Sequence, residues 1–497
     1  MAAFVLHVRT PAGPPRNWTR AQVQSFARKC PSAVDTRRVT VRMNGTVHAE
    51  HDGPSLTPPL PRKRIRVAIL GGGISGLMCA TELVRQANEQ NALDMDVEVF
   101  DTGVHNVGGR ASSRAVTVKG ASMVVDHAAQ FFTVSHGNRR LQAYVDEWKR
   151  LGVLREWGEA AVVSLSNGKR SDASLHCAPP YYIGTRGIGA ISSALSQKLN
   201  IRRPAWVSVM QRDEDAAGAW KLFRNRHKAK EGAAMGVYDA VVIAHNGKCA
   251  DRLVGTAHIP HIQRFLRTLF TCSAREEKNS KMQMSSLWSV LVAFEQPVAA
   301  DFEGAFIPDC PALAWVSNNS KKLLQPLHED GDAGTGGVAE CWTLLSTPAF
   351  ATKFKVPQEA VPDETAAIVV KELLSAFERA LARAPGSLTP CFVRAQLWGA
   401  AVPLNYLAEE RCIWDGAVKV GVCGDWLGQQ ASMESAAMSG IELADTIMRD
   451  FSRAGGPREE RGLRAKFVLP RANTALGGFP RAPIDTEEEV LPARRRV

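Results

Sequence analysis

Apolar residues fall along this chain in three rhythms. Arg66-Val67-Ala68-Ile69-Leu70 is a short aliphatic run that stops at Gly71-Gly72-Gly73, after which Leu77, Ala80 and Val84 recur at helical spacing. Val97-Glu98-Val99-Phe100 then reads as a second strand, so the stretch predicts strand, tight turn, helix, strand. Ala240-Val241-Val242-Ile243-Ala244 is uninterrupted, as in a strand buried on both faces of a parallel sheet. Trp206-Val207-Ser208-Val209 and Ala219-Trp220-Lys221-Leu222-Phe223 flank an acidic turn and predict a hairpin. Leu287 to Phe294 and the runs around Ala314 and Trp342 suit a second, more antiparallel sheet. A helix is expected over Leu141 to Trp157, and an amphipathic one after a capping Asp363, with Val369, Leu373, Phe377 and Leu381 on its apolar face. Ala417 to Val422 predicts a last strand and Met433 to Met448 a last helix. Glu329 to Gly337 is Gly/Asp-rich and reads as an exposed loop. The alternation of strands and helices predicts an α/β fold.

The first of these turns carries chemistry. Gly71, Gly73 and Gly76 stand in G-x-G-x-x-G spacing, which serves a tight turn, close approach of a pyrophosphate to the backbone, and close packing of helix on strand. Ile74 and Ser75 open the helix, whose free N–H groups face an anion. Asp101 ends the second strand, placed to accept from a ribose hydroxyl. These features together predict a dinucleotide site.

Composition narrows the partners. The formal charge of +11 lies wholly in the ends: the first 63 residues hold ten basic and three acidic residues, the last 47 hold ten and six, and the middle is neutral. A nucleic-acid footprint needs a basic face on the folded part, so no nucleic-acid partner is expected. The longest apolar runs fall far short of a membrane span. Ten cysteines show no C-x-x-C pair and no metal spacing with histidine, which predicts reduced thiols and no metal site. Residues 1–63 are arginine-rich and acid-poor, with a proline-rich junction from Pro54 to Pro61, and resemble an organelle transit peptide. Thr46-Val47-His48-Ala49 favours a plastid over a mitochondrion; the alternative is an extension without targeting value. Past Asp450 the composition predicts a solvated, disordered tail over 451–497.

A second glycine pair, Gly108-Gly109-Arg110, follows the acid of the second strand, and this tandem resembles the flavoprotein group of the amine oxidases. Further segments resemble one branch of it, the renalase-like NAD(P)/FAD-dependent oxidoreductases. They are Asp126-His127-Ala128-Ala129-Gln130-Phe131-Phe132-Thr133, Tyr182-Ile183-Gly184-Thr185-Arg186-Gly187, Leu313-Ala314-Trp315 with Asn319-Ser320-Lys321, and Gly421-Val422-Cys423-Gly424-Asp425-Trp426, in order between about Arg64 and Ile447.

The resemblance implies FAD as cofactor and a discontinuous Rossmann-type FAD-binding domain over 64–140, 181–255 and 405–450. It places a substrate domain, α+β on a mostly antiparallel sheet, over 141–180 and 256–404. It implies cofactor contacts from Gly108, Gly109, Arg110, Ala129, Gln130, Phe131, Val207, Gly424, Asp425, Glu434 and Ser435, with the helix beginning near Met433 aimed at the flavin's pyrimidine edge. Glu434, Ser435 and Ser439 are candidate caps of that helix. The implied reaction is hydride transfer from a small organic donor to the flavin, with dioxygen as acceptor. The donor is a reduced nicotinamide isomer in renalase-like proteins and an amine in the wider group. This chain departs from the family's W-R-Y-A-x-P segment with Trp398-Gly399-Ala400-Ala401-Val402-Pro403, and from its glycine at Ala128. The first change enlarges and depolarises the substrate wall, favouring an apolar substrate. His127 and Trp398 are the candidate catalytic positions; for His127 the alternative is a core histidine that fixes the turn, while Trp315, Trp342 and Trp426 read as core. An amine or polyene oxidase or isomerase is the second enzyme reading, and a binding or escort protein of the GDP-dissociation-inhibitor kind is the non-enzymatic one.

Overall fold

The computed structural model describes residues 64–90, 93–171, 179–214, 218–270, 281–325, 340–428, 431–453 and 458–469. The leader 1–63, the loop expected at Glu329 to Gly337 and residues 470–497 lie outside them.

In chain order the elements that build the site are β1 (Arg64–Leu70), α1 (Ile74–Gln90), β2 (Asp94–Phe100), β3 (Ser113–Val118), β4 (Ala121–Asp126), β5 (Asn200–Arg202), β6 (Ala240–Ile243), β7 (Met282–Phe294), β8 (Leu313–Asn318), β9 (Glu340–Ser346), α2 (Asp363–Ala380), β10 (Phe392–Pro403), β11 (Ile413–Asp415), β12 (Val420–Val422), α3 (Met433–Ser452) and β13 (Glu460–Arg461). A seven-stranded sheet runs β13-β11-β12-β6-β1-β2-β5, parallel from β12 to β5 with the antiparallel pair β11 and β13 at one edge. The fold is thus α/β with a Rossmann-like sheet. Every residue of β6 is fully buried, as an uninterrupted aliphatic run requires.

The second sheet has eight strands and is mostly antiparallel; β7 is its spine, paired with β9 on one side and with β10 on the other. All thirteen residues of β7 are buried. Against this sheet α2 packs Val369, Leu373 and Phe377, beside Trp342 and Val292. The first sheet draws its strands from 64–100, 200–243, 413–422 and 460–461, the second from 162–170 and 268–403.

Several expected boundaries move for local reasons. The helix expected over Leu141 to Trp157 spans Arg139–Arg150 and ends at Gly152, which takes a left-handed φ of 68°. Leu154–Trp157 is instead a strand paired with Tyr181–Gly184. The hairpin's first strand begins at Val209, because the Ala205 N–H bonds the Asp101 carbonyl (2.8 Å) and draws the segment before it to the end of β2. Pro362, not Asp363, holds the N-cap position of α2, with no side-chain cap bond; Asp363 and Glu364 lie in its first turn, where a carboxylate favours the helix dipole. The strand expected from Ala417 begins only at Val420, after a turn in which Lys419 has φ 55°. The tail expected past Asp450 is structured over 458–469: β13 extends the first sheet, and Phe467, buried, pairs with Leu407.

Candidate active site

At the carboxyl ends of β1 and β2 the backbone makes a cradle. The Gly71 N–H donates to the Phe100 carbonyl (2.8 Å), and Gly71 has φ 124°. The Gly108 N–H donates to the Gly72 carbonyl (2.7 Å), so the two glycine motifs, 36 residues apart in sequence, are joined. A Cβ on Gly76 would stand 2.0 Å from the Gly71 carbonyl oxygen, which is why glycine is needed where α1 meets β1. A Cβ on Gly73 or Gly109 would meet no heavy atom within 4 Å. Both border the cavity described below.

Asp101 is held rigidly at the rim. One carboxylate oxygen accepts from the Gly72 N–H (2.8 Å) and the other from the Gly103 N–H (2.7 Å). Arg110 reaches across to Asp425 with two charge-assisted bonds (2.7 and 2.8 Å) and donates to the Ala401 carbonyl (2.6 Å). The pair clamps the second glycine motif to the Gly424-Asp425 corner. Burial works against the Arg110 charge, yet the Asp425 carboxylate outweighs it and raises the guanidinium's pKa.

One cavity of about 540 Å³ opens from this cradle and extends to the second sheet. Of the residues proposed from sequence, Gly71, Gly73, Ile74, Ser75, Asp101, Gly108, Gly109, Arg110, Ala129, Gln130, Phe131, Val207, Trp398, Gly424, Asp425 and Glu434 line it; Gly76, His127 and Ser435 do not. Gly76 lies behind the cradle, in the α1–β1 contact.

The caps differ from expectation. Ser432 is the N-cap of α3, its hydroxyl accepting from the Ser435 N–H (3.0 Å). Glu434 instead straps α3 to the turn before the 139–150 helix, accepting from the Ser135 N–H (3.1 Å) and Asn138 Nδ2 (2.6 Å). Ser439 holds the Gly424 N–H (2.9 Å), fixing the corner from below. The open end of α3, at Ser432 and Met433, faces the cavity. Gly440 was not singled out from sequence, yet a Cβ there would lie 2.1 Å from the Ser75 carbonyl oxygen. Its absence lets α3 cross α1 tightly enough to bring that helix end to the cradle.

The far end of the cavity is made of side chains. Phe131, Leu287, Phe306, Trp315 and Trp398 line it together with Ala400, Ala401 and Val402. Phe131 packs against Trp315 (5.4 Å between centroids), with Phe306 4.7 Å from Trp315. Trp315 and Trp426 are as buried as a core reading requires, and both also border the cavity; only strand register reveals this.

His127 sits behind this wall. Its ring stacks on Trp398 (5.3 Å, 15°), its backbone carbonyl accepts from the Trp398 indole N–H (3.3 Å), and its Nε2 lies 3.2 Å from the Ser112 hydroxyl. Burial first, then the nearby Arg114 charge, push its pKa down to about 4, so the ring is neutral at neutral pH. His127 positions Trp398 and does not face the cavity. Gln130 turns its side chain inward as well: its amide donates to the Asp126 and Ala128 carbonyls and accepts from Ser317 (2.6 Å) and Lys322 (3.1 Å). Lys322 is wholly buried and paired with Asp126 (2.8 Å), which locks the 126–132 loop beneath the aromatic chamber.

Three carboxylates line the cavity among the described residues, Asp101, Asp425 and Glu434, and each is engaged by protein donors. No group of three or more metal-ligating side chains occurs among the described residues, and no helix described is long and apolar enough to cross a membrane.

The first sheet and its cradle have the form of a Rossmann-like domain, and residues 69–148 match the family described as the NAD(P)-binding Rossmann-like domain. Among solved structures, the chain is similar to a cofactor-binding redesign of putrescine oxidase, a triple mutant, at 13% identity and TM-score 0.48, over 78% of this chain and 100% of that one. It is also similar to cyclohexylamine oxidase from Brevibacterium oxydans IH-35A, at 12% identity and TM-score 0.47, again over 78% and 100%. Similarity at this level does not extend to substrate or activity.

Proposed function

We propose that this chain is an FAD-dependent oxidoreductase, renalase-like in architecture, that oxidises a neutral and largely apolar small molecule. The observation that carries the reading is one cavity joining a backbone cradle, with open space at Gly73 and Gly109, to an aromatic chamber at Trp398. The cradle suits FAD: with the Gly71, Gly72 and Gly108 N–H groups holding the turns, Gly73 to Ser75, Gly109 and Arg110 border the space a pyrophosphate would take, Asp101 would take the ribose, and Asp425 and the start of α3 lie further along. When bound, the flavin supplies the two-electron acceptor that the protein's own side chains lack.

The protein's part is to bind, orient and keep water out. Phe131, Phe306 and Trp315 make an apolar chamber, Trp398 closes one wall, and neutral His127 holds Trp398 in place without charging the wall. An amine reading is less well supported, because a protonated amine meets no free carboxylate among the described lining residues. A non-catalytic binding role leaves the open space at Gly73 and Gly109 without a purpose. Dioxygen is the proposed electron acceptor, and a plastid the proposed location, on the composition of the leader.

The test is direct. Full-length protein is expected to purify yellow, releasing FAD on denaturation; a colourless preparation that cannot be reconstituted with FAD overturns the reading. Anaerobic mixing with neutral apolar donors, amines and reduced nicotinamides, followed by flavin absorbance, identifies the donor class. Bleaching by amines alone would favour the amine-oxidase reading instead.

A further inference from the structure

At the chamber wall β10 does not follow β7 in step. Ser285 pairs with Val402 and Leu287 with Trp398, so Gly399, Ala400 and Ala401 stand against Ser286 alone and form a bulge. Trp398, Ala400 and Ala401 line the cavity. Both ends of the bulge are tied: the Ser286 hydroxyl donates to the Gly399 carbonyl (3.2 Å), and the Ala401 carbonyl accepts from Arg110 (2.6 Å). The Gly399 N–H bonds no strand. It donates to the side-chain oxygen of Gln358 (2.8 Å).

Gln358 comes from the segment between the Pro348–Lys353 helix and α2. Phe354, Val356 and Val361 of that segment pack against the core of the second sheet, and the Ala360 N–H donates to the Pro357 carbonyl (3.2 Å), so Gln358 is carried on a fixed turn. It lines the cavity and is also exposed, which puts it at the mouth. Gly399 has no left-handed φ, so nothing in its backbone calls for glycine. A Cβ there, however, would stand 2.7 Å from the Gln358 oxygen. The glycine is explained by the glutamine.

The wall that lacks a side chain at 399 thus receives one from 358. An N–H bonds only to an acceptor, so the amide oxygen is committed to the strand and Nε2, with two N–H groups, is what Gln358 has left to offer. Nε2 makes no hydrogen bond among the described residues. A neutral donor beside an apolar chamber rewards a ligand oxygen placed against it, and a hydrocarbon that covers it leaves it unpaired at a cost. A protonated amine has no acceptor to give it.

We propose that Gln358 sets substrate specificity: its Nε2 donates to a neutral acceptor oxygen, a carbonyl or hydroxyl, on an otherwise apolar substrate whose hydrocarbon part fills the chamber at Phe131, Phe306 and Trp398. This names the substrate class for the site and rests on the function proposed above.

The experiment titrates full-length holoprotein, by calorimetry, with three probes of one skeleton: acetophenone, ethylbenzene and protonated 1-phenylethylamine. Wild type is expected to bind acetophenone about tenfold more tightly than ethylbenzene. Gln358→Leu is expected to abolish that preference. Gln358→Glu keeps an oxygen for the Gly399 N–H but loses the donor, and is expected to shift preference from acetophenone to 1-phenylethylamine. Gly399→Ala retains the glutamine but pushes its amide off the strand; it should cost the same preference, and combining it with Gln358→Leu should add nothing. Flavin content and circular dichroism check folding in each variant. A glutamine that only pins its turn would weaken all three probes alike, so an unchanged acetophenone-to-ethylbenzene ratio in Gln358→Leu overturns the proposal. A yellow wild type that binds the two equally, or binds neither, also overturns it and leaves the oxidoreductase reading standing. A colourless protein that cannot be reconstituted with FAD, yet shows the preference and loses it in Gln358→Leu, overturns that reading and upholds the role of Gln358.

Discussion

The two ends of the cavity are built from different parts of the polypeptide. At the cradle, main-chain N–H groups and missing side chains do the work, and each element is fixed by backbone bonds such as Gly108 to Gly72 and Gly71 to Phe100. At the chamber, side chains from β7, β8, β10 and the 126–132 loop converge, and the backbone behind them is ordinary sheet. A site made of backbone tolerates almost no substitution and holds a group common to many proteins. One made of side chains can change its occupant by single replacements while the sheet persists.

That contrast can be broken most forcefully at Gly76. Valine there must displace the Gly71 carbonyl, and we expect a loss of about 3 kcal/mol or more with failure to retain flavin, seen by chemical denaturation and absorbance. Gly73→Leu separates the two effects. With nothing near its Cβ, the substitution should leave apoprotein stability within about 0.5 kcal/mol while flavin content falls at least tenfold; retained flavin would show that the open space has another use. Arg110→Met leaves the Asp425 carboxylate unpaired at the join between the two ends. With the arginine partly exposed, we expect about 1–2 kcal/mol of destabilisation and weaker flavin binding, measured by melting and dialysis.

The last test is that of pH. His127 and His245 are both pushed down to about 4 by burial, His127 further by Arg114. Each is neutral when folded but takes up a proton when unfolded below its ordinary value of 6.5, so the unfolded state binds more protons between pH 4 and 6.5. Stability should therefore rise with pH across that window, by at most about 1.4 kcal/mol per unit for each histidine, and flatten above it. Denaturation of wild type and His127→Asn at pH 5 and pH 7 checks this, the variant showing the shallower slope.

The cradle was legible in the sequence because its constraints are local. A carbonyl 2.0 Å from a would-be Cβ demands glycine at 76, and the acid that ends β2 follows the strand directly. The chamber was not, because Leu287 and Trp398 become neighbours only through the pairing of β7 with β10, and a register has no signature in either strand alone. His127 shows the same limit in another form. Its motif marks the correct turn, but whether a histidine faces a cavity or backs an aromatic ring is decided by a residue 271 positions away. Gly440 is legible only in hindsight, since a glycine inside an amphipathic helix has meaning once the crossing helix is known.

Among the described residues β10 pairs with β7 alone, and that edge position has one more consequence. Thirteen residues of β7 are buried on every side and cannot drift without unfolding the sheet, whereas Val393 and Arg394 of β10 meet solvent while Trp398 and Ala400 of the same strand meet the cavity. Inheritance of the fold and change of the ligand are thus assigned to adjacent strands. A library confined to alternate positions of β10 would explore new substrates on a scaffold whose folding it scarcely touches.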